Sequence, residues 1–421
     1  MTRRDCRVAR AVVTGIGLVS PLGHDLDEVW QGLLAGRSGI RRIQAFDTQG
    51  YPCQIGGEIA DFRAEDYIPT KEARRMSRAS QMALVAAHKA VADAALPLPL
   101  AQPERVAVSI GTAIGGIERV DEGIRTARVD GFAKTNPFLL ASTLPNMPAF
   151  HVTKEFGAHG PNRTVTTACA TGTQAVGEGA EQIFQGVADV VIAGGVDAVL
   201  TDFVLIGFAA MRALPTNFND RPELASRPFD AQREGFLLSE GAAILILESL
   251  EHAVGRGARI YAEVAGHANS GDAYHIAAPD PQATGAVRTM RWALESAGMA
   301  TDAIDYINAH GTSTPANDAI ETLAIKQLFG PHAYQIPISS TKSMLGHSMG
   351  AAGAVEAAVC ALSVHHQRIH PTANYENPDP ECDLDYVPGS ARPARVRAAL
   401  SNSFGLGGQN ACLVLCEVDT Q

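Results

Sequence analysis

The sequence predicts an α/β protein made of two similar halves, and three observations carry that expectation. Short apolar, β-branched runs alternate with longer Ala-rich helical patterns, as in sheets covered by helices on both faces. The plan of "TVTTACATGTQAVGEGAEQI", a β-like run, a small-residue turn and an Ala/Gly-rich helix, returns about 175 residues later in "PISSTKSMLGHSMGAAGAVEAAV". The length, 421 residues, exceeds what one ordinary core holds.

In chain order the strands are expected at "RAVVTGIG", "RVAVSIGTA", "ADVVIAGGVDA", "GAAILILES", "IDYINAHG" and "ACLVLCEV". Each is a short apolar run bounded by glycine or polar residues. Helices are expected over Ala79–Ala94, Gly172–Gly186, Thr284–Ala297, Asp318–Leu328 and Gly350–His365. Alternation of this kind predicts substantially parallel sheets. The joint falls near "HAVGRGAR", giving an N-terminal half 1–255 and a C-terminal half 256–421, with no Pro/Ser/Gly-rich linker between them. The stretch "PTNFNDRPELASRPFD" is polar, aperiodic and Pro-rich, and reads as a long surface loop or lid.

Composition narrows the function classes. Hydrophobic residues make up 46% and charged residues 19%, which provides for a large interior and argues against bulk disorder. A net charge of −11 argues against nucleic-acid binding, and any acidic partner must be met by a local basic patch. Seven cysteines without a CxxC pair indicate neither a disulfide framework nor a zinc ribbon; reduced thiols in the cytoplasm fit. The N-terminal "MTRRDCRVARAVVTGIG" holds an apolar run too short for a signal segment, and no later stretch is long enough to span a membrane. No metal and no cofactor are called for. The glycines of "VVTGIGLVS" and "NSFGLGGQN" give only incomplete dinucleotide fingerprints.

Chemistry concentrates in three places. Cys169 stands among small residues where a helix begins; N–H groups and the helix dipole there favour a thiolate, and Ala168, Ala170 and Gly172 leave room for a carbonyl. His310 follows an apolar strand, where α/β sheets build their sites, and is flanked by Thr312 and Thr314. "STKSMLGHSMGAAGAVEAA" brings Lys342 and His347 into a densely packed region, where a buried lysine needs a partner such as Glu356. Phe404, among glycines, reads as a hinged aromatic able to open and close a pocket. Cys360, Cys412 and Cys416 read as core thiols.

Taken together, "TACATG", "NAHGTSTP", "STKSM.GH..GAAG" and "NSFG.GG.N" resemble the decarboxylating condensing enzymes of the thiolase superfamily, most closely the β-ketoacyl-acyl-carrier-protein synthases of type II, over nearly the whole chain. The resemblance implies a thiolase-like fold, two βαβαβαββ halves in five α-β-α-β-α layers, usually dimeric. It makes Cys169 the nucleophile and the Cys169 and Phe404 N–H groups the oxyanion hole. His310 and His347 become donors to the malonyl thioester oxygen, and Lys342 the holder of the site's charge. It further implies that Thr312 and Thr314 bind the pantetheine arm and that Ile114 and Phe208 line the acyl pocket. Lys71, Arg74, Arg75 and Arg212 would dock an acidic acyl carrier protein. Leu406, Leu345, Ala277 and Ala278 depart from the usual residues, at positions the resemblance ties to chain-length preference and gate dynamics. The implied reaction elongates a fatty acyl chain on a homodimer. The alternative is the catalytic subunit of a type II polyketide or polyene synthase, a heterodimer with a chain-length factor.

Overall fold

A computed structural model describes residues 9–419; residues 1–8, with Cys6 and the basic N-terminal run, and residues 420–421 lie outside the described residues. Ten strands form one continuous sheet. In chain order they are β1 (Ala11–Val19), β2 (Val106–Gly111), β3 (Asn162–Arg163), β4 (Val190–Ala198), β5 (Glu240–Ser249), β6 (Ala262–Gly271), β7 (Tyr306–Asn308), β8 (Ile338–Ser339), β9 (Ala398–Gly405) and β10 (Gln409–Cys416). Across the sheet they run β8-β7-β9-β10-β6-β1-β5-β4-β2-β3. The five strands on either side of the β6–β1 junction therefore repeat one order, third-second-fourth-fifth-first. The junction is a short antiparallel contact, Ala11 opposite Val264 to Val13 opposite Ala262.

The sheet is mixed, which corrects the expectation of substantially parallel strands. β5 runs antiparallel to β1 and β4, and β10 antiparallel to β9 and β6. Both read as continuous apolar runs because both faces are covered, a pattern that marks burial and not direction. The strand Ala262–Gly271 was not expected at all; its Ala, Gly, Asn and Ser content hides it, and ladders to β10 and β1 hold it.

Five helices build the layers: α1 (Arg78–Asp93), α2 (Thr171–Phe184), α3 (Thr284–Ala297), α4 (Pro315–Phe329) and α5 (Ala352–His366). α1 covers the outer face of the first strand set and α3 that of the second, while α2 and α5 lie between the sets and touch each other. Every residue from Ala352 to Val364 is buried, as a helix apolar on all sides requires. Three apolar clusters fill the spaces between the layers. The glycines of "VVTGIG" serve α1: a Cβ on Gly15 or Gly17 would lie 2.3 or 2.0 Å from the Ala90 or Ala86 carbonyl oxygen. Close helix packing, not phosphate binding, explains that motif.

The segment 215–230 is only partly the surface loop expected. From Ala225 to Asp230 it is buried. Its polar atoms find partners inside: the Ser226 hydroxyl donates to the Lys342 carbonyl at 2.7 Å, the Arg227 N–H to Ser313 Oγ at 3.0 Å, and the Arg227 guanidinium pairs with Asp230 at 3.0 Å. Phe229 stacks on Tyr386 with ring centroids 4.0 Å apart. Polarity suggested solvent, but paired polar groups can be interior.

The central helices approach closely at Gly172, where a Cβ would fall 2.5 Å from the Ala354 nitrogen and 2.7 Å from the Gly350 oxygen. Gly172→Ala is expected to lower the unfolding free energy by about 1–3 kcal/mol through overpacking, read as a shift in urea midpoint at unchanged slope.

Candidate active site

The central helices begin in similar ways. A single 3₁₀ turn, Ala168–Ala170, leads into α2, and another, Met349–Ala351, leads into α5. Each opens on a non-glycine residue in the left-handed region, Ala168 at φ +49° and Met349 at φ +48°. The first turn presents Cys169, and His347 stands two residues before Met349. His310 follows β7, whose strand ends at Asn308. The sulfur and a ring nitrogen of each histidine lie within 4.8 Å of one another, and all three residues are buried. The three groups predicted from the sequence thus share one place. Donor atoms so close can close on a metal ion or on one substrate group.

Each member is held by specific bonds. The His347 N–H donates to the Leu237 carbonyl at 2.7 Å, and its own carbonyl accepts from the Ser239 N–H at 3.0 Å. The Met349 N–H donates to His347 Nδ1 at 3.3 Å, which places the neutral ring's proton on Nε2, an atom with no protein partner. The His310 and Gly311 N–H groups both donate to the Glu321 carboxylate at 2.8 Å. Lys342 Nζ donates to the His310 carbonyl at 2.7 Å and to Glu356, joining the lysine to the partner considered for it from the sequence. The two imidazoles meet edge to face with centroids 5.4 Å apart, and Phe404 approaches His310 at 5.9 Å.

Electrostatics here are governed by burial. Desolvation, aided by the Lys342 charge, pushes both histidines well below their ordinary pKa, with His347 adding to the effect on His310, so both rings are neutral. The Cys169 thiol is pushed up to about 11 by burial, against which the N–H groups of Leu406 and Cys169 and the Lys342 charge work. The expectation of a thiolate is corrected: removal from water outweighs the start of the helix, and the resting group is a thiol. Burial also raises Glu356 and Glu321 to about 7, opposed by Lys342 for the first and by the Gly311 and His310 N–H groups for the second.

A cavity of about 440 Å³ opens onto Cys169, His310 and His347 and is lined by Phe208, Thr312, Thr314, Phe404 and Arg212 among others. The two threonine hydroxyls stand 3.0 Å apart, and Thr314 caps α4 by accepting from the Asn317 N–H. Leu406, Ala277 and Ala278, noted as departures, line the same cavity. Leu345, also noted, lies elsewhere, buried in the central core. Ile114 lies outside the cavity wall and packs into the apolar cluster that holds Cys169 and Phe208. Lys71, Arg74 and Arg75 are exposed around the short helix Thr70–Ala73 and do not line the cavity; Arg75 lies over the Phe138 ring at 4.7 Å. Leu406, in the glycine turn after Phe404, works against burial in lowering the Cys169 thiol through its backbone N–H. Phe404 is still in the β9–β10 ladder opposite Asn410, and the chain turns only after it. Sequence reasoning also passed over Glu321 and Phe236, the latter 5.6 Å from the His347 ring. An acidic residue inside the apolar face after "NAHGTSTP" was the available signal for the first.

Iodoacetamide alkylation of Cys169, followed by mass spectrometry, is expected to accelerate with pH through pH 8–10 without levelling near neutrality, because the thiol loses its proton only near 11. A plateau below pH 8 would contradict the buried-thiol assignment.

Comparison with known proteins agrees with this geometry. The structure of the ishigamide ketosynthase/chain length factor superposes with a TM-score of 0.91 at 38% identity, covering 98% of this chain and 100% of that one. The ketosynthase in the AntDE:AntF complex, a type II PKS acyl-carrier protein with its ketosynthase bound to the hexaketide, gives 0.89 at 35% identity over 98% and 100%. The 3-oxoacyl-[acyl-carrier-protein] synthase 2 of Synechocystis sp. is 47% identical over 405 residues, 96% of this chain and 97% of that protein. Residues 9–253 match the model for the beta-ketoacyl synthase N-terminal domain and residues 261–376 that for the C-terminal domain. With its thiolase-like strand order and its convergent sulfur and imidazoles, the chain belongs to the beta-ketoacyl synthase family.

Proposed function

We propose that this protein is a β-ketoacyl-acyl-carrier-protein synthase that elongates a fatty acyl chain by decarboxylative Claisen condensation. The observation that carries this reading is the meeting of one thiol and two neutral imidazoles within 4.8 Å in a single cavity. In the first half-reaction the Cys169 sulfur attacks the thioester of an acyl carrier protein. The carrier thiolate leaves and takes up the proton that the sulfur gave. His310, neutral with Nδ1 unpartnered, is the base at hand for that transfer. The backbone N–H groups of Cys169 and Phe404 receive the thioester oxygen as charge builds on it. The Phe404 ring beside His310 acts as the gate.

In the second half-reaction a malonyl carrier enters and its C–C bond to the carboxylate breaks, releasing carbon dioxide. The electron pair becomes an enolate whose charge sits largely on the thioester oxygen. His347 Nε2–H and the His310 ring donate to that oxygen, an interaction at full strength only as the bond breaks, which is what lowers a barrier. The enolate carbon then attacks the acyl-Cys169 carbonyl and the sulfur leaves. The product is a β-ketoacyl carrier two carbons longer. Lys342, locked between Glu356 and the His310 carbonyl, adds to the burial that keeps both histidines neutral. Thr312 and Thr314 hold the pantetheine arm, and Phe208, with Ile114 behind it, shapes the acyl pocket. Halves 1–255 and 256–421 are taken as the two copies of one unit, working in the cytoplasm as a homodimer. Among the described residues no helix is long and apolar enough to cross a membrane.

A second reading, the catalytic subunit of a type II polyketide or polyene synthase beside a chain-length factor, draws support from the likeness to the ishigamide ketosynthase. Leu406, Ala277 and Ala278 in the cavity wall are where chain preference would differ. Product lengths made by the protein alone, compared with those made beside a partner subunit, separate the two.

Cys169→Ser is expected to abolish acyl-enzyme formation by mass spectrometry. His347→Ala is expected to slow carbon dioxide release from malonyl carrier by about 10²–10³ while retaining part of the acyl transfer; unchanged release would remove His347 from the second half-reaction. Reversing the charges of Lys71, Arg74 and Arg75 is expected to raise the KM for carrier severalfold with kcat nearly constant, and the effect should fade as salt is added.

A further inference from the structure

β4, the fourth strand of the first repeat, carries next to its last residue a carboxylate that the mechanism above does not use. Asp197, in β4, is fully buried. Its oxygens accept from both halves of the chain. Oδ1 takes the Thr112 hydroxyl at 2.5 Å and the Ile114 N–H at 3.3 Å, and Oδ2 takes the Ala113 N–H at 2.9 Å and the Gly350 N–H at 2.6 Å. The first three donors form the turn after β2, which carries Ile114. The fourth belongs to the 3₁₀ turn before α5, one residue beyond Met349, whose own N–H fixes the His347 ring.

Everything around this carboxylate is shaped for it. A Cβ on Gly350 would lie 2.6 Å from both the Ala113 nitrogen and Asp197 Oδ2, and a Cβ on Gly195 would lie 2.3 Å from the Gly350 oxygen. Thr112 is itself held, accepting from the Gly115 N–H at 2.9 Å. A buried acid that served packing alone would be better replaced by an apolar residue, since taking a charge out of water is unfavourable. Four charge-assisted hydrogen bonds from two separate turns are what a carboxylate supplies and an apolar side chain cannot.

We propose that Asp197 is a positioning residue, one carboxylate that ties the turn of Ile114 to the turn of His347 and so sets where the His347 ring stands against the Cys169 sulfur. The inference rests on the two-step reaction proposed above. Burial raises Asp197 to about 6 against the pull of its four donors, so it is ionised at neutral pH. The titratable and charged groups around the sulfur are His310, His347, Lys342 and Asp197, with Glu321 and Glu356 behind them on the His310 N–H and on Lys342; Asp197 opposes loss of the thiol proton by its negative charge.

The test uses Asp197→Asn in the full chain, with three readouts: acylation of Cys169, carbon dioxide release from malonyl carrier, and the pH profile of iodoacetamide alkylation. Carbon dioxide release is expected to fall about 10²-fold, as for a displaced catalytic group, with acylation reduced much less. The alkylation profile is expected to move to lower pH because a negative charge has gone from beside the sulfur. Release equal to wild type overturns the proposal. So does an equal loss of both half-reactions with the alkylation profile unmoved, the mark of a merely structural residue. If the wild-type protein itself releases no carbon dioxide, the reaction assignment fails instead, and an unmoved alkylation profile then overturns the placement of Asp197 as well. Should Asp197→Asn not fold, Thr112→Val removes one donor and leaves the charge. Its release is expected to fall about 10-fold with no downward move of the alkylation profile, and wild-type release from it overturns the proposal.

Discussion

A sulfur from one half of the chain and two imidazoles from the other meet only because α2 and α5 approach each other with almost nothing between their backbones. Gly172, Gly195 and Gly350 make that approach, each with another backbone atom where its Cβ would be. Helices separated by ordinary side chains stand about 8–10 Å apart; at that spacing the turns before α2 and α5 would not share a cavity. The glycines are weak helix and strand formers, so their presence in the middle of the molecule is unfavourable locally. The approach they permit places the two turns against each other, with the two five-strand sets of the one sheet on either side of the pair.

Closeness creates an electrostatic problem that the surrounding groups resolve. Four ionisable carboxylates and amines, Asp197, Glu321, Lys342 and Glu356, are buried within this region. An unpaired charge in such a place is destabilising by several kcal/mol. Glu321 is met by the His310 and Gly311 N–H groups, Asp197 by four donors, and Lys342 and Glu356 by each other. Each of these bonds ends on the backbone or on a group beside a reactive residue, so satisfying the charges also fixes the geometry. The same dryness keeps the histidines neutral and the thiol protonated. A neutral imidazole can donate to an enolate oxygen without first giving up a proton.

Much of this was legible in the sequence. Cys169 before a helix, His310 at a strand end, and Lys342 with Glu356 all followed from local pattern and from the rule that buried charges need partners. Tertiary context decided the rest. Strand direction is invisible in runs buried on both faces, so β5 and β10 were misread as parallel members. The interior half of 215–230 looked solvated because the pairs Ser226–Lys342 and Arg227–Ser313 span sequence distances that no periodicity records.

The internal echo explains why the pair of halves holds one nucleophile and not two. Ala168–Cys169–Ala170 and Met349–Gly350–Ala351 are the same structural device, a left-handed residue opening a 3₁₀ turn at the head of a central helix. In the first copy the middle position carries the thiol. In the second it is glycine, and its N–H faces Asp197 while its carbonyl crowds Gly172 and Gly195. Any side chain there would strike the Ala113 nitrogen and the Asp197 carboxylate, 2.6 Å away. That leaves no room for a side chain at the middle position of the second turn. The second copy therefore contributes the residue three places earlier, His347, whose ring reaches the shared cavity from the side. Under the proposed reaction, the crowding at Gly350 accounts for a thiol at the middle position of one turn and an imidazole from just before the other.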